Sequence, residues 1–286
     1  MFIAPMLLES RPEPFSDDGW IFEPKLDGHR VIMSRQSDET RLWTMQGNEC
    51  TRQFPELHLP PMDGDFVLDG EVCCTDPETE AIDVELVMER FRLKKKNKID
   101  AYSKQQPVNY IVWDILFHKG RDLRQLPLMK RRSILESVLE SNPNISIVPH
   151  IDGRGEDLWE YVVANRMEGI VGKRKNSKYV SRQSHDWQQI INYQYADVYL
   201  AGYRKNGSGW LIHLEENGRL RPSGMLELGV TAEHRETFMS LSRKLQAREG
   251  PGFVYLEPKI RARVKYRNRT RGGMLRKPEL VQICAE

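Results

Sequence analysis

The sequence predicts an α+β protein with two domains, a mixed α and β domain over residues 1–195 and an all-β domain with one helix over residues 196–286. The length of 286 residues is about twice that of an ordinary domain. Strand-like and helical patterns alternate up to about Ala196, after which short strand-like runs dominate. A composition of 39% hydrophobic and 29% charged residues is typical of a globular protein and excludes a fibre or a disordered chain.

The first domain is predicted to contain sheets with flanking helices. Runs rich in aromatic and β-branched residues, bounded by turn residues, predict strands at 65–72, 108–117 and 169–171. Pro127 is suited to the first turn of a helix, and a weaker helical repeat includes Leu158, Val162 and Met167. The apolar residues at helical spacing after Pro127 are Leu128, Ile134, Leu135, Val138 and Leu139.

The second domain is predicted to be a small barrel. Its strand-like runs are 198–203, 209–214, 252–257 and 260–266. One helix is predicted at 232–247, where Phe238, Leu241 and Leu245 form an apolar stripe. Many short strands with one helix in about ninety residues are typical of small barrels such as the oligonucleotide-binding fold.

Targeting and redox signals point to a cytoplasmic protein. The apolar stretch at 2–8 contains Pro5 and has neither a basic leader nor a cleavage site, so no secretory signal is predicted. No apolar run approaches the roughly 18 residues of a membrane span. Four cysteines, of which Cys73 and Cys74 are adjacent, form neither a disulfide framework nor a zinc-ligand pattern. A reducing compartment is the default for such a chain.

The charge is divided unevenly along the chain. The net charge of +2 combines 26 basic and 31 acidic residues in 1–195 with 17 basic and 10 acidic residues in 196–286. Cations occupy seven successive odd positions in the second half, and in an extended strand such a period of two places them on one face. These residues are Lys259, Arg261, Arg263, Lys265, Arg267, Arg269 and Arg271.

Two interpretations of this cationic stripe remain open: a solvated outer face of a barrel strand, or a surface that binds a phosphate backbone. Like charges at this spacing repel one another unless an anion lies against them, which favours the second interpretation. A further basic run at 90–98 lacks the alternation and is predicted to be a solvated helix end or loop.

The residues Lys25-Leu26-Asp27-Gly28-His29-Arg30 are predicted to form a strand, a tight turn and a second strand. They resemble the signature Lys-x-Asp-Gly-x-Arg of the covalent nucleotidyltransferases, which comprise ATP-dependent DNA ligases, RNA ligases and messenger-RNA capping enzymes. Further elements of that family follow in the expected order. They are Asp69-Gly70-Glu71, Val112-Trp113-Asp114-Ile115-Leu116 and Glu168-Gly169-Ile170-Val171-Gly172-Lys173-Arg174.

The resemblance extends into the second domain. Val264-Lys265-Tyr266, Thr270, Gly273 and Leu275-Arg276-Lys277-Pro278 are similar to the C-terminal segment of bacterial DNA ligases, including the ligase module of end-joining enzymes. The resemblance implies an adenylation domain of antiparallel sheets and flanking helices, joined to an oligonucleotide-binding barrel. It also implies an ATP-dependent DNA ligase that acts as a monomer on nicked duplex DNA in repair, recombination or replication.

The resemblance implies a role for each matching residue. Lys25 would attack the α-phosphorus of ATP to form a lysyl-adenylate, as a deprotonated amine can. Trp113 would stack on adenine, Glu71 and Arg30 would contact the ribose, and the main chain near Glu23 would bind the base. Glu168, with Glu71 and Asp27 as weaker ligands, would hold Mg²⁺ or Mn²⁺. The predicted DNA contacts are the seven cations of the stripe together with Arg276 and Lys277.

Two elements depart from the family pattern. The family has Ser-Arg-Asn-Gly where this chain has Thr44-Met45-Gln46-Gly47, so the arginine is absent. The family element Trp-x-Lys-hydrophobic-Lys is here Trp187-Gln188-Gln189-Ile190-Ile191, so two phosphate-binding lysines are absent. Since the loss of one such contact costs several kcal/mol, we hypothesise that Lys173, Lys175 or Arg182 compensates.

Two other functions remain open at this point. An RNA ligase or a capping-type nucleotidyltransferase would share Lys25 and the Asp-Gly element. A nick-binding protein with impaired catalysis would retain the basic second domain, and the absence of the two phosphate-binding lysines would account for its lost activity.

Overall fold

The computed structural model describes residues 1–79 and 81–284, and the chain divides into two compact units, Met1–Ile191 and Asn192–Glu286. This division lies four residues before the domain boundary expected from the sequence. Residues 192–195 carry no charged side chain, so the contrast in charge between the two halves is the same for either boundary.

The described residues of the first unit form eleven strands and four helices. The strands are β1 (Leu7–Ser10), β2 (Trp20–Lys25), β3 (His29–Gln36), β4 (Glu39–Thr44), β5 (Phe66–Cys73), β6 (Asn109–His118), β7 (Arg121–Asp122), β8 (Ile145–Ile147), β9 (Ile151–Asp152), β10 (Gly169–Arg174) and β11 (Gln183–Ile191). The helices are α1 (Val84–Arg92), α2 (Lys96–Gln105), α3 (Leu128–Val138) and α4 (Gly155–Ala164).

These strands form two sheets. The first has the order β1-β11-β10-β2-β9, and the second has the order β4-β3-β5-β6-β7 with β8 paired to β6. Most neighbours are antiparallel, as expected, although β1 pairs with β11 and β8 pairs with β6 in parallel. An apolar layer that includes Ile21 of the first sheet and Ile32 of the second packs between them.

Each sheet also has an outer apolar face that a helix covers. Phe22 and Ile170 of the first sheet pack with Val162 of α4. On the second sheet, Val31 packs in a cluster that includes Val87 of α1. Alternate residues of β2, β3 and β10 are therefore buried on opposite faces, so the register of each strand determines which side chains enter the space between the sheets.

Residues 192–284 of the second unit form six strands and one helix. The elements are β12 (Gln194–Arg204), β13 (Trp210–Glu216), β14 (Arg219–Leu226), α5 (Ala232–Ser242), β15 (Gln246–Gly250), β16 (Phe253–Tyr266) and β17 (Glu279–Cys284). The sheet order is β14-β13-β12-β16-β15, with β17 also paired to β16, and all its strand pairs are antiparallel. Phe238 of α5 stacks on Trp210 with a centroid distance of 4.1 Å and packs in the apolar core.

The pattern-based elements agree with the structure where periodicity is strong. The predicted strands at 65–72, 108–117 and 169–171 correspond to β5, β6 and β10, and the helix after Pro127 is α3. The separate strands expected at 252–257 and 260–266 are one strand, β16, because Pro258 is accommodated where the pairing of β16 with β12 shifts register. The helix expected at 232–247 ends at Ser242.

The basic run at 90–98 lies at the end of α1 and the start of α2. Most of its cations are exposed, as expected, but Arg90 is wholly buried. Its guanidinium donates to Glu56 Oε1 at 2.5 Å and to the main-chain carbonyls of Gln53 and Gln106. Because these acceptors satisfy the charge, Arg90 is a structural residue, and the prediction of a solvated side chain is wrong for it.

Two further sequence observations concern the described residues 1–79 and 81–284. No helix there has both the length and the apolar character that crossing a membrane requires. Cys50, Cys73, Cys74 and Cys284 are free thiols.

Gly169, the first residue of β10, provides a test of the fold. Its φ is +155°, and an added Cβ would lie 2.1 Å from the carbonyl oxygen of Ile190. We expect Gly169→Ala to lower the free energy of unfolding by about 3 to 5 kcal/mol, measured by urea denaturation. Gly120→Ala is the control, since φ is +81° but no atom lies within 4 Å of its Cβ, and we expect a loss of about 1 kcal/mol. Equal losses would contradict this account of Gly169.

Candidate active site

The pairing of β2 with β10 brings together two predicted site residues that are 143 positions apart in the chain. Lys25, the last residue of β2, lies opposite Gly169 in the antiparallel register, and Glu168 directly precedes β10. Lys25 Nζ donates to Glu168 Oε2 at 2.9 Å, and the two side chains are 16% and 4% exposed. The predicted nucleophile and the predicted metal ligand are therefore in direct contact.

Gly28, two residues after the pair Lys25-Leu26, lies where the chain passes very close to β5. The chain passes here from β2 in the first sheet to β3 in the second, so these strands do not form a hairpin. A Cβ on Gly28 would lie 2.4 Å from Val72 O and 2.7 Å from Glu71 Cγ. Only glycine allows the chain to cross this close to β5.

Glu71 lies opposite Arg30 in the pairing of β5 with β3. Burial raises the pKa of Glu71 to about 8, although the nearby charges of Lys25 and Arg30 act in the opposite direction and Glu168 adds to the increase. A neutral Glu71 carboxyl is thus favoured at neutral pH when no further cation is present. An additional cation at this position would favour the carboxylate.

Arg30 is held by a buried acid. Its Nε and Nη2 atoms donate to the two carboxylate oxygens of Asp69 at 3.0 and 2.6 Å, and Tyr179 Oη donates to Asp69 Oδ2 at 2.7 Å. The guanidinium lies 5.3 Å from the centroid of the Trp113 ring. This bidentate pair fixes the plane of the guanidinium over the aromatic ring.

Trp113 occupies a β-bulge in β6. Gly70 of β5 pairs with Val112 and the preceding Asp69 pairs with Asp114, which leaves Trp113 as the extra residue. A bulge re-aims the extra side chain, and Trp113 packs with the layer between the two sheets. Its indole N–H is buried and has no hydrogen-bond partner within residues 1–79 and 81–284, so a ligand acceptor would remove a desolvation cost there.

Glu23 is the centre of a buried charge cluster. Its Oε2 lies 2.5 Å from Lys173 Nζ, and its Oε1 accepts from Arg132 Nη1 at 2.7 Å. Burial lowers the pKa of Lys173, and the carboxylate of Glu23 opposes this effect. Lys173 Nζ also lies 5.1 Å from the centroid of the Trp113 ring. The predicted base-binding region thus contains buried charged side chains in addition to the main-chain groups expected to bind the base.

Arg132 is a site residue that the sequence reasoning missed. It belongs to α3 and is 1% exposed, as buried as Leu128 and Leu135 of the same helix. A signal was present, because Arg131 and Arg132 lie three and four residues after Leu128, on the apolar stripe of the helix. Cations on such a stripe must find buried acids.

The sequence that forms this arrangement matches a known family. The family described as "ATP dependent DNA ligase domain" matches residues 5–190. The SPbeta prophage-derived DNA ligase-like protein LigB of Bacillus subtilis is 35% identical over 279 residues, which cover 97% of each chain. The chain belongs to the ATP-dependent DNA ligase family. Membership implies ATP and DNA as substrates.

Other relatives are longer than this chain. The multifunctional non-homologous end joining protein LigD of Pseudomonas aeruginosa is 28% identical over 96% of this chain but only 34% of its own length. Solved structures with the same fold include a mycobacterial DNA ligase D complexed with ATP, with a TM-score of 0.57, 21% identity and coverage of 99% and 95%. A Lig E DNA ligase has a TM-score of 0.60, 16% identity and coverage of 99% and 100%. The expected fold, an adenylation domain followed by an oligonucleotide-binding domain, is confirmed.

The two absent lysines of the ligase pattern fall on the face of β11 that carries the site. In the pairing of β11 with β10, Gln189 lies opposite Val171 and Ile191 lies opposite Gly169. Gly169 in turn lies opposite Lys25 of β2. Ile191 is therefore on the same row as the predicted nucleophile, at a position where the family has a cation.

The three cations proposed to compensate lie at different places. Lys173 shares the face of Lys25 and is four residues from Gly169, about 13 Å along the strand. Lys175 follows the end of β10 and pairs with Asp152 at 2.7 Å. Arg182 precedes β11, so it is nine residues, about 30 Å of extended strand, from Ile191. This geometry favours Lys173 alone as a nearby cation.

The element that lacks the family arginine is a turn after β4. Gly47 has a φ of +79°, its N–H donates to Thr44 O at 2.9 Å, and Met45 is 41% exposed. Arg41 pairs with Glu39 at 3.0 Å, and Arg52 lies in the short helical turn Thr51–Gln53. The role of either arginine as a replacement stays a hypothesis.

The cationic stripe is only partly a single strand face. Lys259, Arg261, Arg263 and Lys265 lie in β16 and alternate with buried apolar residues, as predicted. β16 ends at Tyr266, so the prediction of one continuous face is wrong for the three arginines beyond it, which are Arg267, Arg269 and Arg271.

Acidic side chains of the second unit lie beside several cations of the stripe. Arg263 pairs with Asp197 at 3.2 Å and Lys265 pairs with Glu279 at 3.1 Å. Arg269, beyond the strand, pairs with Glu216 at 2.5 Å. Part of the repulsion inferred from the sequence is therefore relieved within the protein, although the net charge of this half remains +7.

The raised pKa of Glu71 predicts how stability depends on pH. Its pKa of about 8 lies above its ordinary value of 4.5, so between these values the folded chain retains a proton that the unfolded chain loses. Relative to Glu71→Gln, the wild type should lose stability as pH rises from 5 to 8, by at most about 1.4 kcal/mol per pH unit. Urea denaturation of both proteins at several pH values measures this difference. Parallel pH profiles would contradict the assignment.

Proposed function

We propose that this protein is an ATP-dependent DNA ligase that seals nicks in duplex DNA, with Lys25 as the nucleophile. The contact between Lys25 and Glu168 carries the proposal, because it joins a primary amine to a carboxylate at the aligned ends of β2 and β10. The family match and the LigB relative support the same reaction class.

In the first step, the neutral amine of Lys25 attacks the α-phosphorus of ATP. A P–N bond forms, the bond to the pyrophosphate oxygen breaks so that pyrophosphate leaves, and the amine nitrogen loses one of its two protons to water, which leaves an N–H phosphoramidate. The protein contributes mainly position: the Lys25 side chain is 16% exposed and held at the end of a paired strand, which limits the geometries from which it can attack.

The nucleotide would lie between the sheets. Trp113 would stack on adenine, and Arg30, fixed by Asp69, lies over the Trp113 ring, from where it would contact the ribose. Glu23 and Lys173 offer a carboxylate and a cation near the base. Arg30, Glu23 and Lys173 are each held by a second buried residue, so little ordering of these side chains is needed when the nucleotide binds.

A divalent cation, Mg²⁺ or Mn²⁺, would be held by Glu168 and Glu71. Both are carboxylate ligands beside Lys25, and Mg²⁺ is commonly bound by one or two carboxylates together with substrate phosphates. Within residues 1–79 and 81–284 no group of three or more His, Cys, Asp or Glu side chains is arranged to hold a metal, and in the proposed site water and substrate phosphate oxygens would supply the other ligands. When bound, the ion would stabilise charge on the transferring phosphoryl group.

Two transfers would follow on DNA. The 5′-phosphate at the nick attacks the lysyl-AMP phosphorus and releases Lys25, and the 3′-hydroxyl then attacks the adenylated phosphate, forms the phosphodiester and releases AMP. Both steps require the protein to bind the duplex with some affinity. The cations of β16, with Arg276 and Lys277, would supply it through phosphates rather than base edges. We expect the protein to act as a monomer and in the cytoplasm.

A second candidate function has a specific observation in its favour. Gln189 and Ile191 leave the row beside Lys25 without the cations of the family pattern. A chain that binds nicks but does not form lysyl-AMP would show this loss. The family match does not favour an RNA ligase or a capping-type nucleotidyltransferase.

Formation of lysyl-AMP separates the two candidates. We expect incubation with ATP and Mg²⁺ to add one AMP to the wild type, detected by intact-protein mass spectrometry, and Lys25→Ala to abolish the adduct because the nucleophilic amine is lost. Lys178→Ala, which removes an exposed lysine of the same unit, is the control and should retain the adduct. An unmodified wild type would favour the binding protein, and labelling by GTP instead of ATP would overturn the substrate assignment.

Salt dependence tests the proposed DNA contact. We expect Arg261→Gln to weaken binding to a nicked duplex and to reduce the slope of log K against log salt concentration by about one, since one phosphate contact is lost. Arg248→Gln, on β15 of the same unit, removes the same charge outside the stripe and should leave the slope unchanged. Equal slopes for Arg261→Gln and the wild type would refute a role for this position.

A further inference from the structure

We propose that Arg131 and Arg132, adjacent residues of α3, are positioning residues that hold the two walls of the nucleotide site in register. The proposal rests on the proposed function, since it assigns the geometry in which Lys25 is adenylated. Neither guanidinium has a described contact with Lys25. Both act through the residues that carry Trp113 and Lys25.

The two arginines are unusually buried for charged residues. Arg131 is 0% exposed and Arg132 is 1% exposed. Burying a guanidinium is costly unless acids and carbonyls replace its water shell, and apolar residues of similar size often stabilise a fold equally well. Stability alone therefore does not account for two adjacent buried arginines on one helix, whereas a role in positioning other residues does.

Arg131 joins the strand that bears Trp113 to the connection between β10 and β11 of the first sheet. Its Nε and Nη2 atoms donate to the two oxygens of Asp114, both at 2.8 Å, and Asp114 directly follows Trp113 in β6. Its Nη1 atom donates to Leu126 O at 2.6 Å and to Ser177 O at 3.0 Å. Ser177 lies in the segment that follows β10, so one side chain links the bulge to the chain three residues beyond the end of that strand.

Arg132 makes the second link. Its Nη1 atom donates to Glu23 Oε1 at 2.7 Å, and its Nη2 atom donates to Val148 O at 3.0 Å. Val148 N–H in turn donates to Val112 O at 2.9 Å, and Val112 directly precedes Trp113. Arg132 thus connects β2, two residues from Lys25, to the opposite flank of the same bulge.

The two links enclose Trp113. One arginine fixes Asp114 and the other, through Val148, fixes Val112, so the re-aimed indole between them has both neighbours tied to α3. Lys173 occupies the remaining oxygen of Glu23. The distance between the adenine-stacking wall and the nucleophile strand is then set by two guanidinium groups on one rigid helix turn.

A positioning role has a signature that loss of stability does not share. If the walls shift, adenine and the α-phosphorus no longer align with Lys25, and a displacement of about 1 Å can cost about 100-fold in rate. The nucleotide loses affinity as well, because Trp113 and Glu23 belong to its binding surface. Destabilisation elsewhere in the fold changes neither quantity as long as the protein remains folded.

Arg90 supplies a matched control. It is also wholly buried and also pairs with an acid, Glu56, but it belongs to α1, and its described partners do not include Trp113, Glu23 or Lys25. Arg90→Met therefore removes an equivalent buried ion pair without touching either wall. Arg131→Met, Arg132→Met and Arg132→Lys complete the set.

The experiment measures the rate of lysyl-AMP formation against ATP concentration, at a temperature where urea denaturation and circular dichroism show each variant to be folded. We expect Arg131→Met and Arg132→Met to raise the apparent KM for ATP about 10-fold and to lower the maximal rate about 10- to 100-fold. Arg132→Lys keeps the charge but cannot bond Glu23 and Val148 together, so partial recovery is expected. Arg90→Met should change neither parameter by more than about threefold.

Each outcome has one meaning. Wild-type kinetics in the α3 variants, or the same change in Arg90→Met, would overturn the positioning role while leaving the ligase function intact. Absence of an adduct in the wild type would instead overturn the proposed function. If Arg132→Met does not fold, Arg132→Lys decides the question, and wild-type KM and rate in that variant would refute the proposal.

Discussion

The antiparallel pairing of β2 with β10 is the constraint on which the site depends. Lys25, Glu23, Gly169 and Val171 are placed by one register, and a slip of one residue would turn both Lys25 and Glu23 to the opposite face. The glycine at 169 permits this register, since any side chain there would collide with the neighbouring strand. The contact of Lys25 with Glu168 follows from the pairing rather than from any local signal.

Around that register, each buried carboxylate is paired with a cation. Asp69 and Asp114 are cross-strand neighbours, an arrangement that is unfavourable for two carboxylates, and each is neutralised by a bidentate arginine. Glu23 is shared by two cations. These groups are buried, so their partners cannot be exchanged for water, and the result is a preorganised space between the two sheets. The same network explains why α3, which contains none of the family's signature residues, belongs functionally to the site.

The positions of Gln189 and Ile191 show where the two absent cations change the charge of the site. Both positions lie on the site face, so the departure from the family pattern removes charge where the transferring phosphate is expected. Lys173 is on the same face but is already committed to Glu23, and Lys175 and Arg182 are remote along the strands. In the proposed function, a base-binding region held by buried ion pairs therefore adjoins a phosphate region with little positive charge, and this difference would slow the adenylation step.

The sequence alone determined the family, the division of charge and the elements with strong periodicity, because signature residues and apolar spacing are local properties. It also predicted Lys25, Glu168 and Trp113 as site residues. Only the tertiary structure decided that Lys25 contacts Glu168, that Trp113 occupies a bulge, and that Arg131 and Arg132 are buried beneath the site. Strand register, bulges and buried ion pairs depend on contacts between distant segments, and no local pattern of residues encodes which acid a buried arginine will meet.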